Sequence, residues 1–146
     1  MNIDTLRKEL ERDEGVVHEV YLDHLGYSTF GIGHLIRSDD PEAGSDVGTS
    51  VSESRVIDAF EEDVKTVLID CKSLYNDFDD LPEEVQLIIA NMMFNMGRSR
   101  LSKFAGLKNG VDNRDWERAA DEMVDSRWYQ QVTKRADRLV ERMRNV

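Results

Sequence analysis

Glu14, Asp23 and Thr29 follow one another at intervals of nine and six residues, in a run that reads Asp13-Glu14-Gly15, then Tyr21-Leu22-Asp23, then Tyr27-Ser28-Thr29-Phe30-Gly31-Ile32-Gly33-His34. An acid, a base and a hydroxyl are the groups that hydrolysis of a glycosidic bond requires. One carboxyl must arrive protonated and give its proton to the leaving oxygen. A second, ionised, activates water or attacks the sugar. Glu14 suits the first role. Ile3, Leu6, Leu10 and position 14 recur at three- and four-residue intervals, one face of an amphipathic helix, so Glu14 fills the last slot of an apolar stripe. Gly15 ends that helix, and the dipole disfavours negative charge at its C-terminus. Asp23 lies just before a turn signal at Gly26, where solvent and backbone donors favour the ionised form. Taken singly, a surface glutamate, a turn aspartate and a strand threonine are commonplace, and spacing alone favours that plainer account.

The elements that must position these residues are legible in outline. Val16 to Asp23 is rich in β-branched and aromatic types and predicts a strand, Tyr27 to Phe30 a returning strand, and Ile32 to Ile36 a third. Gly31 and Gly33 would let backbone pass close to neighbouring strands or to a bound sugar. Ser38 to Ser50 holds Pro41, Gly44 and Gly48 among acids and serines and predicts a loop, its acidic part 39–46 a solvated face. Ser52 can cap a long helix whose stripe is Val56, Ile57, Phe60, Val64, Val67, Leu68 and Cys71. Pro82 fits the first turn of the next helix, which is apolar nearly all round from Val85 to Met96 and is stopped by Gly97. Shorter helices are expected at about 99–108, 114–124, 127–131 and 134–144. Trp116 shares a stripe with Ala119, Ala120 and Met123, and Trp128 follows a helix-start serine, so both are expected in the core, as is Cys71.

Composition narrows the function classes. With 146 residues, 40% hydrophobic and 34% charged, the chain can bury a sizeable core. No stretch approaches the roughly 20 apolar residues of a membrane span, so no membrane insertion is expected. The one cysteine rules out an internal disulfide. Charge is lopsided: residues 1–97 carry twenty-two acidic and seven basic groups, whereas residues 98–146 carry eight acidic and twelve basic. A net charge of −11 and a pI near 4.7 argue against nucleic acid as a partner, which calls for a basic footprint.

Two further blocks give the first run its context: Asn91-Met92-Met93-Phe94-Asn95-Met96-Gly97, and Ser126-Arg127-Trp128-Tyr129 with Lys134-Arg135-Ala136. Together with Glu14-x8-Asp23-x5-Thr29, flanked by Tyr-x-Asp and Gly-x-Gly-His, they resemble the phage-type lysozymes over most of the chain and in the right order. The resemblance implies an α+β lysozyme fold in a single domain, 1–146. A small sheet lobe at about 15–51 and a helical lobe at about 73–146 would be joined by a connecting helix at about 52–72, with helix 2–14 packing on the helical lobe. It implies a muramidase that cleaves the β-1,4 bond between N-acetylmuramic acid and N-acetylglucosamine in peptidoglycan, with inversion, for host cell lysis. Glu14 would protonate the leaving oxygen while Asp23 and Thr29 hold water on the opposite face. Leu35, Phe94 and Asn95 would bind substrate. His34 would ion-pair with Asp63 in a structural role, and Arg135 would contact Glu14.

No cofactor or metal is implied, and a monomer is expected. The N-terminus enters a charged helix directly with no signal peptide visible. The expected setting is therefore the host cytoplasm, with access to the wall through a separately encoded pore. A lytic transglycosylase, which needs no water-positioning group, and a non-catalytic wall-binding or virion domain are the alternatives.

Overall fold

A computed structural model describes residues 1–146. Helix α1 (Ile3–Glu14) leads into strands β1 (Val17–Leu22), β2 (Ser28–Gly31) and β3 (His34–Leu35), and a loop then reaches the long helix α2 (Glu53–Leu74). A 3-10 turn (Phe78–Asp80) precedes α3 (Glu83–Leu101), α4 (Ala105–Asp112), α5 (Trp116–Val124), α6 (Arg127–Gln131) and α7 (Thr133–Arg144). The architecture is α+β, with one three-stranded antiparallel sheet in the order β1-β2-β3. Two compact units result, Asp4–Thr66 and Met1–Ile3 with Val67–Val146. The division runs through α2, and α1 from Asp4 onward is grouped with the sheet.

In the first unit Leu6 and Leu10 are fully buried, as the stripe on α1 requires, along with Val20, Phe30 and Ala59, and Phe60 is nearly so. Side chains of this size stabilise by about 1.5–3 kcal/mol each when removed from water. Val56, Ala59, Phe60 and Val64 line the buried face of α2, while Ile57, expected on that stripe, is 41% exposed. Ser52 Oγ accepts from Arg55 N at 3.1 Å and caps the helix start. The sheet is smaller than expected: its third strand is His34–Leu35, not Ile32–Ile36. Gly31 and Gly33, both at positive φ (66° and 60°), bend the chain before pairing can begin.

The second unit is helical. Val85, Ile88, Ile89, Ala90, Asn91, Met92 and Met93 of α3 are all buried, consistent with a segment apolar nearly all round. At Gly97 the backbone leaves the helical path (φ 79°, ψ 166°), a conformation without penalty only for glycine, and one further turn runs to Leu101. No helix spans 99–108, because Phe104 at φ −83°, ψ 66° interrupts it and α4 starts at Ala105. Trp128 is 2% exposed, whereas Trp116 is half-buried at the start of α5. Cys71 is buried; burial, then the charge of Asp70, push its thiol up to about 12, which leaves it inert.

Candidate active site

Glu14 is the last residue of α1 and half-buried. Its side chain lies against Gly33, in the turn between β2 and β3. A Cβ added at Gly33 would meet Glu14 Oε2 at 2.9 Å and Glu14 Cδ at 3.1 Å. The expectation of backbone or sugar passing close to this glycine is therefore replaced by something more specific. The missing side chain is the seat of the Glu14 carboxyl. Gly31, two residues earlier, gives similar room to Val56 of α2, whose Cγ1 would lie 3.1 Å from an added Cβ. The N-terminal part of α2 is thus packed onto the strand that carries Thr29.

Asp23 closes the β1–β2 hairpin. Its Oδ1 accepts from Leu25 N and Tyr27 N, each at 2.9 Å, and its own N–H donates to Tyr27 O at 2.9 Å. Two backbone donors on one oxygen fix the carboxylate and leave Oδ2 outside these bonds. Thr29, 4% exposed, is in β2 and donates from Oγ1 to Tyr27 O at 2.9 Å. With its proton committed to the backbone, the hydroxyl can only accept from whatever approaches it. Leu35, 50% exposed, is the register partner of Thr29 on β3. Glu14, Asp23, Thr29 and Leu35 therefore all belong to the unit Asp4–Thr66.

Behind the sheet lies a buried ionic cluster. His34 is 2% exposed and touches carboxylates through both ring nitrogens, Nδ1 to Asp63 Oδ2 at 2.7 Å and Nε2 to Asp40 Oδ2 at 2.8 Å. An imidazole can donate from both nitrogens only when protonated. Burial lowers its pKa, but the hydrogen bonds and charges of Asp63 and Asp40 outweigh that and hold it above the ordinary histidine value. Asp40 moves the other way: burial raises its pKa, but the Arg37 N–H and His34 lower it further. Arg55 on α2 joins Asp40 Oδ1 at 3.1 Å and Glu42 Oε2 at 2.9 Å, and stacks 5.4 Å above the Phe30 ring.

This overturns the expectation that the acidic loop 39–46 is simply a solvated face. Asp40 and Glu42 are 7% and 12% exposed. They point inward because His34 and Arg55 offer two cations that two buried carboxylates can neutralise. Sequence reasoning named Asp63 as the only partner of His34. The signal for Asp40 was present in the loop, but nothing in linear order distinguishes it from Asp39.

The remaining residues singled out from the sequence belong to the helical unit. Phe94 and Asn95 are half-buried near the end of α3, and Asn95 Oδ1 accepts from Trp128 Nε1 at 2.7 Å. That bond orients the Asn95 amide, leaving its N–H groups as the free donors. Arg135, 8% exposed on α7, donates from Nε to Asn91 Oδ1 at 2.9 Å, so its guanidinium is anchored by a buried amide. No group of three or more histidine, cysteine or carboxylate side chains could hold a metal ion.

Comparisons with known proteins identify the family. The phage lysozyme family model matches residues 11–145. A probable T4-type lysozyme of Dictyostelium discoideum (number 2) is 32% identical over 94% of this chain and 92% of its own length. The pre-baseplate central spike protein of Enterobacteria phage T4 is 30% identical over 92% of this chain, which spans 27% of that relative. A peptidoglycan hydrolase of Pseudomonas phage phiKMV is 31% identical over 94% of this chain and 15% of its own length. The family match starts within the helix bearing Glu14 and runs to the end of α7. The chain belongs to the phage lysozyme family and is a glycoside hydrolase.

Proposed function

We propose that the protein is a peptidoglycan muramidase that cleaves the β-1,4 bond between N-acetylmuramic acid and N-acetylglucosamine by single displacement. The observation that carries this reading is the division of labour between carboxyls. Glu14 rests on Gly33 at the end of a helix, while Asp23 has one oxygen held by two backbone donors and shares the Tyr27 carbonyl with a hydroxyl that can only accept. A water placed there gives one hydrogen to Asp23 Oδ2 and the other to Thr29 Oγ1, which aims its lone pair at the anomeric carbon. As the C1–O bond breaks, Glu14 transfers its proton to the departing O4 and Asp23 takes a proton from the attacking water. The new C1 hydroxyl ends on the face opposite the old bond. Leu35, Phe94 and Asn95 serve substrate binding in this account.

Clearing of outer-membrane-permeabilised bacteria by wild-type protein and by Glu14→Gln tests the assignment. Wild type clears and the amide variant does not; equal clearing by both would sink it. Mass spectrometry of the muropeptides separates the remaining possibility. Hydrolysis adds one water per cut, whereas a transglycosylase yields anhydro-muramyl ends and would give Thr29 no task. We further propose that the protein acts as a monomer, is made in the host cytoplasm and reaches the wall through a separately encoded pore. Light scattering on the purified protein, and lysis timed with and without a pore-forming partner, address those two points.

A further inference from the structure

The sheet face that carries Asp23 and Thr29 holds a third polar side chain. Tyr21 is the register partner of Thr29, and Thr29 is in turn the partner of Leu35. Directly opposed residues of antiparallel strands project from the same face with Cβ atoms about 4.5–5.5 Å apart. Asp23 follows Tyr21 at the two-residue spacing that returns to that face. Tyr21, Thr29 and Leu35 therefore form one row across all three strands, with Asp23 at its end.

Tyr21 is half-buried, and its hydroxyl donates to neither carboxylate. Burial, then the negative charges of Glu14 and Asp23, raise its pKa above the ordinary tyrosine value. Both carboxyls thus act electrostatically on one phenol, which keeps its proton throughout the range in which carboxylates titrate. A phenol so placed has a donor to offer and no protein acceptor to take it. Polysaccharides are rich in acceptors, namely hydroxyl, ring and N-acetyl oxygens, and the apolar faces of their rings suit the exposed part of an aromatic ring.

We propose that Tyr21 is a substrate-contacting residue, its hydroxyl donating a hydrogen bond to an oxygen of the saccharide that lies along the row between Glu14 and Asp23. The inference rests on the muramidase reading and adds to it a specificity-determining contact. It gives a function to a phenol oxygen that makes no hydrogen bond to either carboxylate.

Tyr21→Phe keeps the ring and removes only the donor. The expected result is an unchanged thermal midpoint with kcat/KM on purified peptidoglycan reduced about 2- to 12-fold, the effect of losing one neutral hydrogen bond. The second measurement is calorimetric titration of a soluble peptidoglycan tetrasaccharide into Glu14→Gln and into Glu14→Gln/Tyr21→Phe, where the second protein should bind more weakly by a similar factor. Wild-type kcat/KM in Tyr21→Phe, or equal tetrasaccharide affinity in the single and double variants, would overturn the proposal. So would a shift of either limb of the pH–rate profile with unaltered affinity, because the phenol would then act on the carboxyls and not on sugar. If the Glu14→Gln protein binds no tetrasaccharide at all, it is the muramidase reading that fails.

Discussion

An amide at position 14 has nearly the shape of the carboxyl it replaces but has no proton to release. Glu14→Gln is therefore predicted to unfold at the wild-type temperature or slightly above it, while losing about 10²–10⁴-fold in rate, the usual contribution of general acid catalysis. Calorimetry and initial clearing rates check the two halves separately. Asp23→Ala should inactivate more severely than Asp23→Glu, since the longer carboxylate can still reach a water. Gly33→Ala makes a different demand. The backbone there is at φ +60°, and the added methyl would sit 2.9 Å from Glu14 Oε2. The left-handed conformation alone should cost about 1–2 kcal/mol, and displacement of Glu14 should lower kcat by more than that loss of stability explains when both are measured at low temperature. A fully active Gly33→Ala would show that the contact does not position the acid. At this scale the carboxyl and hydroxyl types of the proposed site are legible in the run from Glu14 to Thr29. What it hid was contact across the fold: that Gly33 seats Glu14, and that Tyr21 shares a row with Thr29, follow from pairing and packing and not from linear order.

The ionic cluster belongs to the scale of elements, where it ties the loop after β3 to α2. Its pH dependence has a definite sign. His34 has a raised pKa in the folded protein, so its contribution is fully present below the unfolded histidine value of about 6.5 and is lost as pH rises through the raised value. Asp40 has a lowered pKa, so its contribution is present above the unfolded value of about 3.9 and is lost as pH falls through the lowered one. The unit Asp4–Thr66 should therefore be most stable in weak acid, between these limits, and should weaken toward alkaline pH. Chemical denaturation across pH should show that decline in wild type and its absence in His34→Asn. Breaking a buried pair is expected to cost about 3–5 kcal/mol. His34→Ala combined with Asp63→Ala should then be no worse than the more damaging single variant, and strictly additive losses would mean that the two do not interact. Helix periodicity made α1 and α2 legible because each carries an apolar stripe, and α3 was legible as a long apolar run bounded by Pro82 and Gly97. The short third strand and the interruption at Phe104 were not, since both depend on single backbone torsions that no repeating pattern records.

For the whole molecule, charge is the feature that composition alone exposes. Residues 1–97, which include Glu14 and Asp23, carry a net −15, while residues 98–146 carry +4. An anionic wall should be repelled by the first and attracted by the second. Such effects between exposed groups are screened over about 10 Å at 0.1 M salt and about 3 Å at 1 M. Clearing rates on permeabilised cells should accordingly hold or rise with salt to several hundred millimolar. A steep monotonic fall would mean that adsorption runs through the basic surface and that the acidic half is merely solvated. None of these measurements reaches the chemistry itself as directly as the configuration of the first product. Freshly cleaved glycan, followed by proton NMR before mutarotation, should show its new N-acetylmuramic acid reducing ends appearing as the α-anomer, because the proposed attack by a water held between Asp23 and Thr29 would invert a β bond. Initial release of the β-anomer, or of anhydro ends with no reducing sugar, would contradict the account.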